Sequence, residues 1–249
     1  MERLNKVVLE VPQDMHYEAA IGEEGELILR VVPNSSEISC DKAKYFTQIT
    51  AEDREKVKNW LAKQKGENEK EEKFLAIVKT AVKAVNYDYW IANLEPSVTD
   101  GKIYYAEGNA VGVGFSYNQW MNMAEEYAPE RGSRLSNEYE LFIWYALRIV
   151  NNMWTLNYVA TNSSGAGNYS NAPGATQFME KTGERNVGGY CDGQGNSYKM
   201  ITYVGGCRYG LAGGLYRDSG YECPVADIAF RFNQDEIRID SSGVLVLTK

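Results

Sequence analysis

Histidine is almost missing from this chain: His16 is the only one in 249 residues. It lies in an N-terminal stretch of β-like sequence, far in sequence from any cysteine or acidic cluster, so neither a histidine-based triad nor a histidine metal site is expected. Cysteines are few. Cys40, Cys191, Cys207 and Cys223 form no C-x-x-C pair of the zinc kind and are too sparse for a disulfide scaffold. Free, partly buried thiols are the simpler reading, with a Cys207–Cys223 or Cys191–Cys207 bridge as the alternative. Cations are in deficit too: 26 Lys and Arg scattered among 34 Asp and Glu leave a net charge of −8, without the clustered positive charge that neutralises phosphates. No nucleic-acid partner is expected. No segment approaches the roughly 18 apolar residues of a membrane span, so no membrane insertion is expected. The start, "MERLNKVVLEVPQD", lacks the uninterrupted apolar core of a signal peptide, which makes cytoplasmic synthesis the expectation. A Gly-rich phosphate loop followed by Lys and Ser/Thr is absent. "DGQGN" (Asp192–Asn196) lacks the alternating acids and distal Glu of a calcium loop and reads as a plain turn. These absences together predict no catalytic residue, no metal and no cofactor.

What is present is a globular composition, 44% hydrophobic, ample for a core. Residues 6–11, 15–21 and 26–32 are rich in β-formers separated by turn signals such as "GEEGE", and predict a small antiparallel sheet. Thr50 then caps a helix carrying acids in its first turn, Val57, Trp60 and Leu61 on one face and Gly66 after its end. A second helix follows, "NEKEEKFLAIVKTAVKAV", with Phe74, Ile77, Val78, Ala81 and Val85 at helical spacing. The charge run Glu67–Lys73 is the solvated connection and first turn. From Tyr87 the texture changes to short strands, with a hairpin turn at Asp100–Gly101. Two capped helices come next, one behind Ser116 with Gln119 in capping-box position, one behind Ser136 with Glu138 and Glu140 in its first turn. Thr161–Gln177 is a long polar loop, after which short β-segments and Gly-rich turns run to the end. The expected organisation is 1–86, a small α+β region for attachment or oligomerisation, and 87–249, a larger loop-rich α+β domain.

The order within the second part, hairpin, capped helix, "RGSRLSNEYELFIWYA", long loop, then "GG…YRD…IAFRF", resembles the C-type-lectin-like fold in the form shared by formylglycine-generating enzymes and the variable proteins of diversity-generating retroelements, phage tropism determinants among them. Those families show an Arg-Leu-Pro-Ser/Thr-Glu-x-Glu-Trp-Glu helix start, a Gly-Gly-Ser-Trp strand and a final Ile/Val-Gly-Phe-Arg. The counterparts are Arg134, Leu135, Ser136, Glu138 and Glu140; Gly205, Gly206 and Cys207; and Ile228, Ala229, Phe230 and Arg231. The likeness runs from Tyr89 to Phe232, with Ser136 at the usual Pro, Cys207 at the usual Ser and Ala229 at the usual Gly. It implies an α+β, C-type-lectin-like domain with two helices and short antiparallel strands.

Formylglycine-generating enzymes use a close pair of cysteines after the Gly-Gly turn. Here the cysteine after Cys207 is Cys223, a spacing that does not suit that copper-dependent oxidoreductase chemistry, which stands as the alternative function beside a structural virion decoration or fibre. The composition around Tyr209, Tyr216 and Tyr221, with Arg208, Arg217, Asp218 and Glu222, is that of a binding surface: rigid amphipathic rings and guanidinium groups between adaptable glycines. The resemblance implies that Tyr203–Asp227 is the ligand surface, bringing in Tyr203, Leu211, Leu215 and Asp227, while Gly205, Gly206, Ile228, Phe230 and Arg231 serve as framework. The expectation is a non-enzymatic receptor-binding or display protein of a phage or virus, on a virion or cell exterior, whose partner is a cell-surface protein or glycan. Residues 233–249 read as one more β-hairpin, covering a sheet edge or mediating assembly into a homo-oligomer, a trimer being common among phage receptor-binding proteins.

Overall fold

A computed structural model describes residues 45–106, 108–162, 196–205, 208–213 and 226–248 in full, and the backbone of 15–21, 27–33, 186–187 and 190–191. The chain divides into two compact units, Met1–Lys44 and Tyr45–Lys249. In the first, β1 (Met15–Ile21) and β2 (Leu27–Pro33) pair antiparallel, with Met15 opposite Pro33 and Ile21 opposite Leu27. The third strand expected there, residues 6–11, lies outside the described residues.

The second unit begins with β3 (Phe46–Ile49), α1 (Ala51–Leu61) and α2 (Glu69–Ala84). Thr50 caps α1 in a reciprocal box: its hydroxyl accepts from the Asp53 N–H at 3.3 Å, and the Asp53 carboxylate accepts from the Thr50 N–H at 3.0 Å. Asn68 caps α2 one way, its side chain accepting from the Glu71 N–H at 3.0 Å. Next come β4 (Tyr89–Ala92), β5 (Ser97–Thr99), β6 (Lys102–Tyr104) and α3 (Tyr117–Tyr127). The β5–β6 turn places Asp100 at φ 51° and Gly101 at φ 73°, the left-handed pair that a two-residue hairpin of matching twist requires. Behind α3 stand β7 (Arg134–Leu135), α4 (Glu138–Val150) and α5 (Leu156–Ala160), then β8 (Asn186–Val187) and β9 (Tyr190–Cys191). The remaining strands are β10 (Tyr198–Thr202), β11 (Tyr209–Ala212), β12 (Ile228–Arg231), β13 (Ser241–Gly243) and β14 (Leu245–Leu247). Two four-stranded sheets carry the unit, ordered β3-β4-β14-β7 and β12-β11-β10-β13. The content is α+β with few helices and mostly antiparallel strands, as the resemblance implied.

Three expectations are corrected. The boundary does not fall at residue 86, because α1 and α2 belong to the larger unit. The cause is α4: every side chain from Leu141 to Leu147 is buried, so this helix needs apolar neighbours on all sides. α1 and α2, with one apolar stripe each, supply two of them through Val57, Phe74, Val78 and Ala81. Phe74 meets Phe142 with ring centroids 5.5 Å apart, and burying each such ring is worth roughly 1.5–3 kcal/mol. The cap of α4 is Asn137, not Ser136: Asn137 accepts from the Glu140 N–H at 3.0 Å and Glu140 accepts from the Asn137 N–H at 2.9 Å. Ser136 is occupied in strand-like bonding, its N–H donating to Val244 O and its carbonyl accepting from the Thr202 N–H. Finally, the described residues 233–248 form no hairpin. β13 runs parallel to β10, and after Val244 alone β14 enters the other sheet between β4 and β7. A strand buried on both faces reads as an unbroken apolar run, which is what "VLVL" is.

Candidate functional site

The stretch expected to display its side chains is built on three neighbouring strands. Thr202 of β10 faces Tyr209 of β11, which faces Arg231 of β12; Ile201, Gly210 and Phe230 form the adjacent row. Side chains alternate between faces of a sheet, so Tyr209 and Leu211 share one face with Met200, and Ile201, Phe230 and Ile228 share the other. Gly210 lies in the second set with no room to spare: a Cβ there would stand 3.0 Å from both Ile201 and Ile228.

The first face packs on α3, where Tyr117 stacks on Tyr209 at 5.0 Å with the planes 15° apart and its hydroxyl lies 3.1 Å from Thr202 Oγ1. The inner end of the second face, Ile201, Ala212 and Ile228, packs into the core shared with α2 and α4. That cover stops where α4 starts, because Asn137 bridges to Thr202, and the Thr202 N–H donates to Ser136 O at 2.8 Å. The start of α4 is itself pinned: Arg134 donates to Glu140 through both terminal nitrogens, one at 2.9 Å, and the Tyr87 hydroxyl donates to the same carboxylate at 2.8 Å. One residue beyond this edge the strand ends run out past the helix.

There Tyr203, Arg208, Phe230 and Phe232 form a surface cluster. Tyr203 and Phe230 meet edge to face with centroids 4.7 Å apart. The Arg208 guanidinium lies 4.8 Å from the centre of the Phe232 ring and 5.9 Å from that of Tyr203. Phe230 is 38% exposed and Phe232 69%. Exposed cation–ring contacts of this kind contribute roughly 0.5–1 kcal/mol each and fix the orientation of the flat groups before any ligand arrives. Gly205 has a local reason: a Cβ there would fall 2.5 Å from the Tyr203 ring, which lies over the turn.

The expected site residues divide accordingly. Tyr203 and Arg208 are in the cluster. Tyr209 and Leu211 are not at the surface: both are buried on the α3 side of the sheet, a correction to their expected role, because register puts them on the covered face. Asp227 is half-buried before β12, its carbonyl accepting from the Gly213 N–H at the end of the strands away from the cluster. Leu215, Tyr216, Arg217, Asp218, Tyr221 and Glu222 lie outside the described residues, as do Cys40, Cys207, Cys223 and Gly206; of Cys191 only the backbone is described. Phe230, expected as framework, is a wall of the cluster, and Phe232 was missed. The alternation in "AFRF" was the available signal, since period two puts both phenylalanines on one face.

No protein-family model matches the sequence, and no curated protein matches it. Among solved structures, the chain is similar to Treponema denticola variable protein 1, at 11% sequence identity and a TM-score of 0.43, over 65% of this chain and 85% of that one.

Among the described residues, no group of three or more His, Cys, Asp or Glu side chains is placed to hold a metal. No described helix is long and apolar enough to cross a membrane. Tyr209, the one phenol at the heart of the sheet, has its ionisation pushed above the ordinary tyrosine value, first by burial and then by the charge of Glu236. It stays a neutral packing group.

Proposed function

We propose that this chain is a non-enzymatic ligand-binding protein, its second unit a C-type-lectin-like domain of the kind used by the variable proteins of diversity-generating retroelements, and that the Tyr203–Arg208–Phe230–Phe232 cluster meets a protein or glycan on a cell surface. One observation carries the reading: Arg208 is held between two rings, at the open end of a sheet whose inner rows pack on α3 on one face and into the core on the other. Aromatic and Arg side chains that are pre-ordered and surrounded by packed framework are the usual anchors of binding surfaces. The block order from Arg134 to Arg231 supports the family, and the Arg134–Glu140 pair gives two of its motif residues a physical role. Phage or virion origin, an exterior location and a trimeric assembly belong to the same proposal.

The test is binding of the fluorescently labelled full chain to intact cells, with Arg208→Ala and Phe232→Ala beside the parent protein. Loss of roughly 30-fold in apparent affinity, with thermal unfolding unchanged, is the expected result, corresponding to about 2 kcal/mol at an anchor residue. Undiminished binding by both variants would remove the cluster from the site. For the diversification part, the DNA beside the gene is expected to carry a reverse transcriptase and a near-copy of the segment encoding Tyr203–Phe232 that differs mainly at adenines. Their absence would end that part alone.

A further inference from the structure

A groove of about 370 Å³ opens between α2, the first turn of α4 and β12. Ile77 of α2, Tyr139 of α4, and Ile228 and Phe230 of β12 form its apolar walls, with Lys73 and Glu138 as the charged side chains of its lining. Glu138 is the unusual member. It is only 8% exposed, and its Oε2 is buried without a hydrogen-bond partner. A buried carboxylate oxygen without a donor costs free energy that folding normally avoids. The capping hydrogen bonds of α4 do not use this residue, because Asn137 and Glu140 complete the box between them. Lys73 forms no ion pair with it, although both line the groove. Burial raises the Glu138 carboxyl to about 7, far above the usual carboxylate range.

We propose that this groove is a binding site for a lysine side chain presented by a protein ligand, its methylene stem lying along Ile77, Ile228 and Phe230 and its ammonium donating to Glu138. The chemistry of the lining selects the occupant. Apolar walls beside a carboxylate with an unsatisfied oxygen fit an aliphatic chain that ends in a compact cation. A guanidinium is a planar fork suited to two oxygens, whereas an ammonium directs one of three donors at whichever acceptor it meets. Phe230 is also the wall shared with the surface cluster, so a protein resting on Tyr203 and Arg208 has the groove beside it. In that respect the assignment of a protein partner rests on the proposed function, while the groove's taste for an ammonium does not.

The experiment titrates the full chain with Nα-acetyl-lysine N-methylamide and with its Nε-acetylated counterpart, reading the Ile77 and Ile228 methyl resonances by NMR. Saturable shifts of both methyls are expected with the first probe, and binding roughly tenfold or more weaker with the second, since it lacks the charged donor. Glu138→Gln, a near-isostere, is expected to lose the preference while the other methyl resonances stay in place. Ala76→Phe, a change at an exposed position of α2, fills the groove and abolishes the shifts without touching the carboxylate. Binding is expected to weaken as the solution goes from about pH 8 to about pH 6, because Glu138 then takes up the proton that the ammonium must displace. The groups facing it are Lys73 from α2 and Tyr139 from α4, with β12 offering only Ile228 and Phe230, and loss of the pH dependence in Glu138→Gln identifies the source. Equal affinity for the two probes, or no shift at either methyl into the millimolar range, overturns the proposal. These small probes cannot span the surface cluster, so they report on the groove even where the cell-binding test fails.

Discussion

Lys199→Met is the most demanding single test of the frame. Lys199 and Glu95 are an ion pair sealed in the interior, with side-chain exposures of 3% and 0%. The carboxylate also accepts from the Asn196 amide at 2.6 Å and from the Ser197 hydroxyl, which lies 2.8 Å from the Ser242 hydroxyl; the ammonium donates besides to Ser197 O at 2.7 Å. This knot ties the approach to β4–β5 to β10 and β13. Removing one partner of a buried pair strands the other charge, at a cost of about 3–5 kcal/mol. Because Glu95 keeps donors from Asn196 and Ser197, the lower end applies, about 3 kcal/mol. In a unit of this size about 3 kcal/mol corresponds to a fall of roughly 6–12 °C in melting temperature. Thermal and urea unfolding followed by tryptophan fluorescence would measure it. The double variant Lys199→Met/Glu95→Leu removes both charges but also the acceptor to which Asn196 and Ser197 donate, so it is expected to recover part of the loss and not all of it. A Lys199→Met protein within about 1 kcal/mol of the parent would refute the reasoning, as would a double variant no better than the single one.

Tyr209→Phe separates a packing tyrosine from a binding one. Its hydroxyl is buried and has no hydrogen-bond partner, so deletion is expected to leave stability within about 1 kcal/mol or raise it, with cell binding unchanged; a loss of binding would restore Tyr209 to the site. Alkaline pH offers a second check. Burial pushes the ionisation of Tyr89, Tyr105 and Tyr209 above the ordinary tyrosine range. A folded-state value above the unfolded one means that the stability is intact below about pH 10 and is lost as pH rises further, when the unfolded chain ionises first. Denaturant melts across that range are expected to show falling stability in step with tyrosinate absorbance at 295 nm appearing only on unfolding; early tyrosinate in the folded protein would contradict the burial.

Local features were legible because their causes are local. The cap at Thr50 and the capping box at Ser116–Gln119 need only a hydroxyl and partners within three residues, and both form, Thr50 with Asp53 completing a box of its own. Asp100–Gly101 needs only two residues that tolerate positive φ. The cap of α4 slipped by one because Ser136 and Asn137 are equally good caps in isolation; pairing of Ser136 with Val244 and Thr202 decided between them. The proposed site was legible in part for the same reason. Aromatic and Arg content marked the region, yet Tyr203 and Tyr209 are chemically identical, and nothing in "TYVGGCRY" says which face of the hairpin a helix will cover.

The sequence by itself determined α1 to α4, the Asp100–Gly101 turn and that the second unit is α+β, because propensity, capping and period act within a few residues; the short α5 was not among them. Tertiary structure alone decided which neighbours those segments take: α1 and α2 against α4, β13 and β14 in different sheets, Tyr209 inward and Phe232 outward. Both outcomes satisfy the same local rules. What separates them is the burial of apolar area between residues far apart in the chain, such as Phe74 with Phe142 and Tyr117 with Tyr209, a free energy that exists only once the chain has closed on itself.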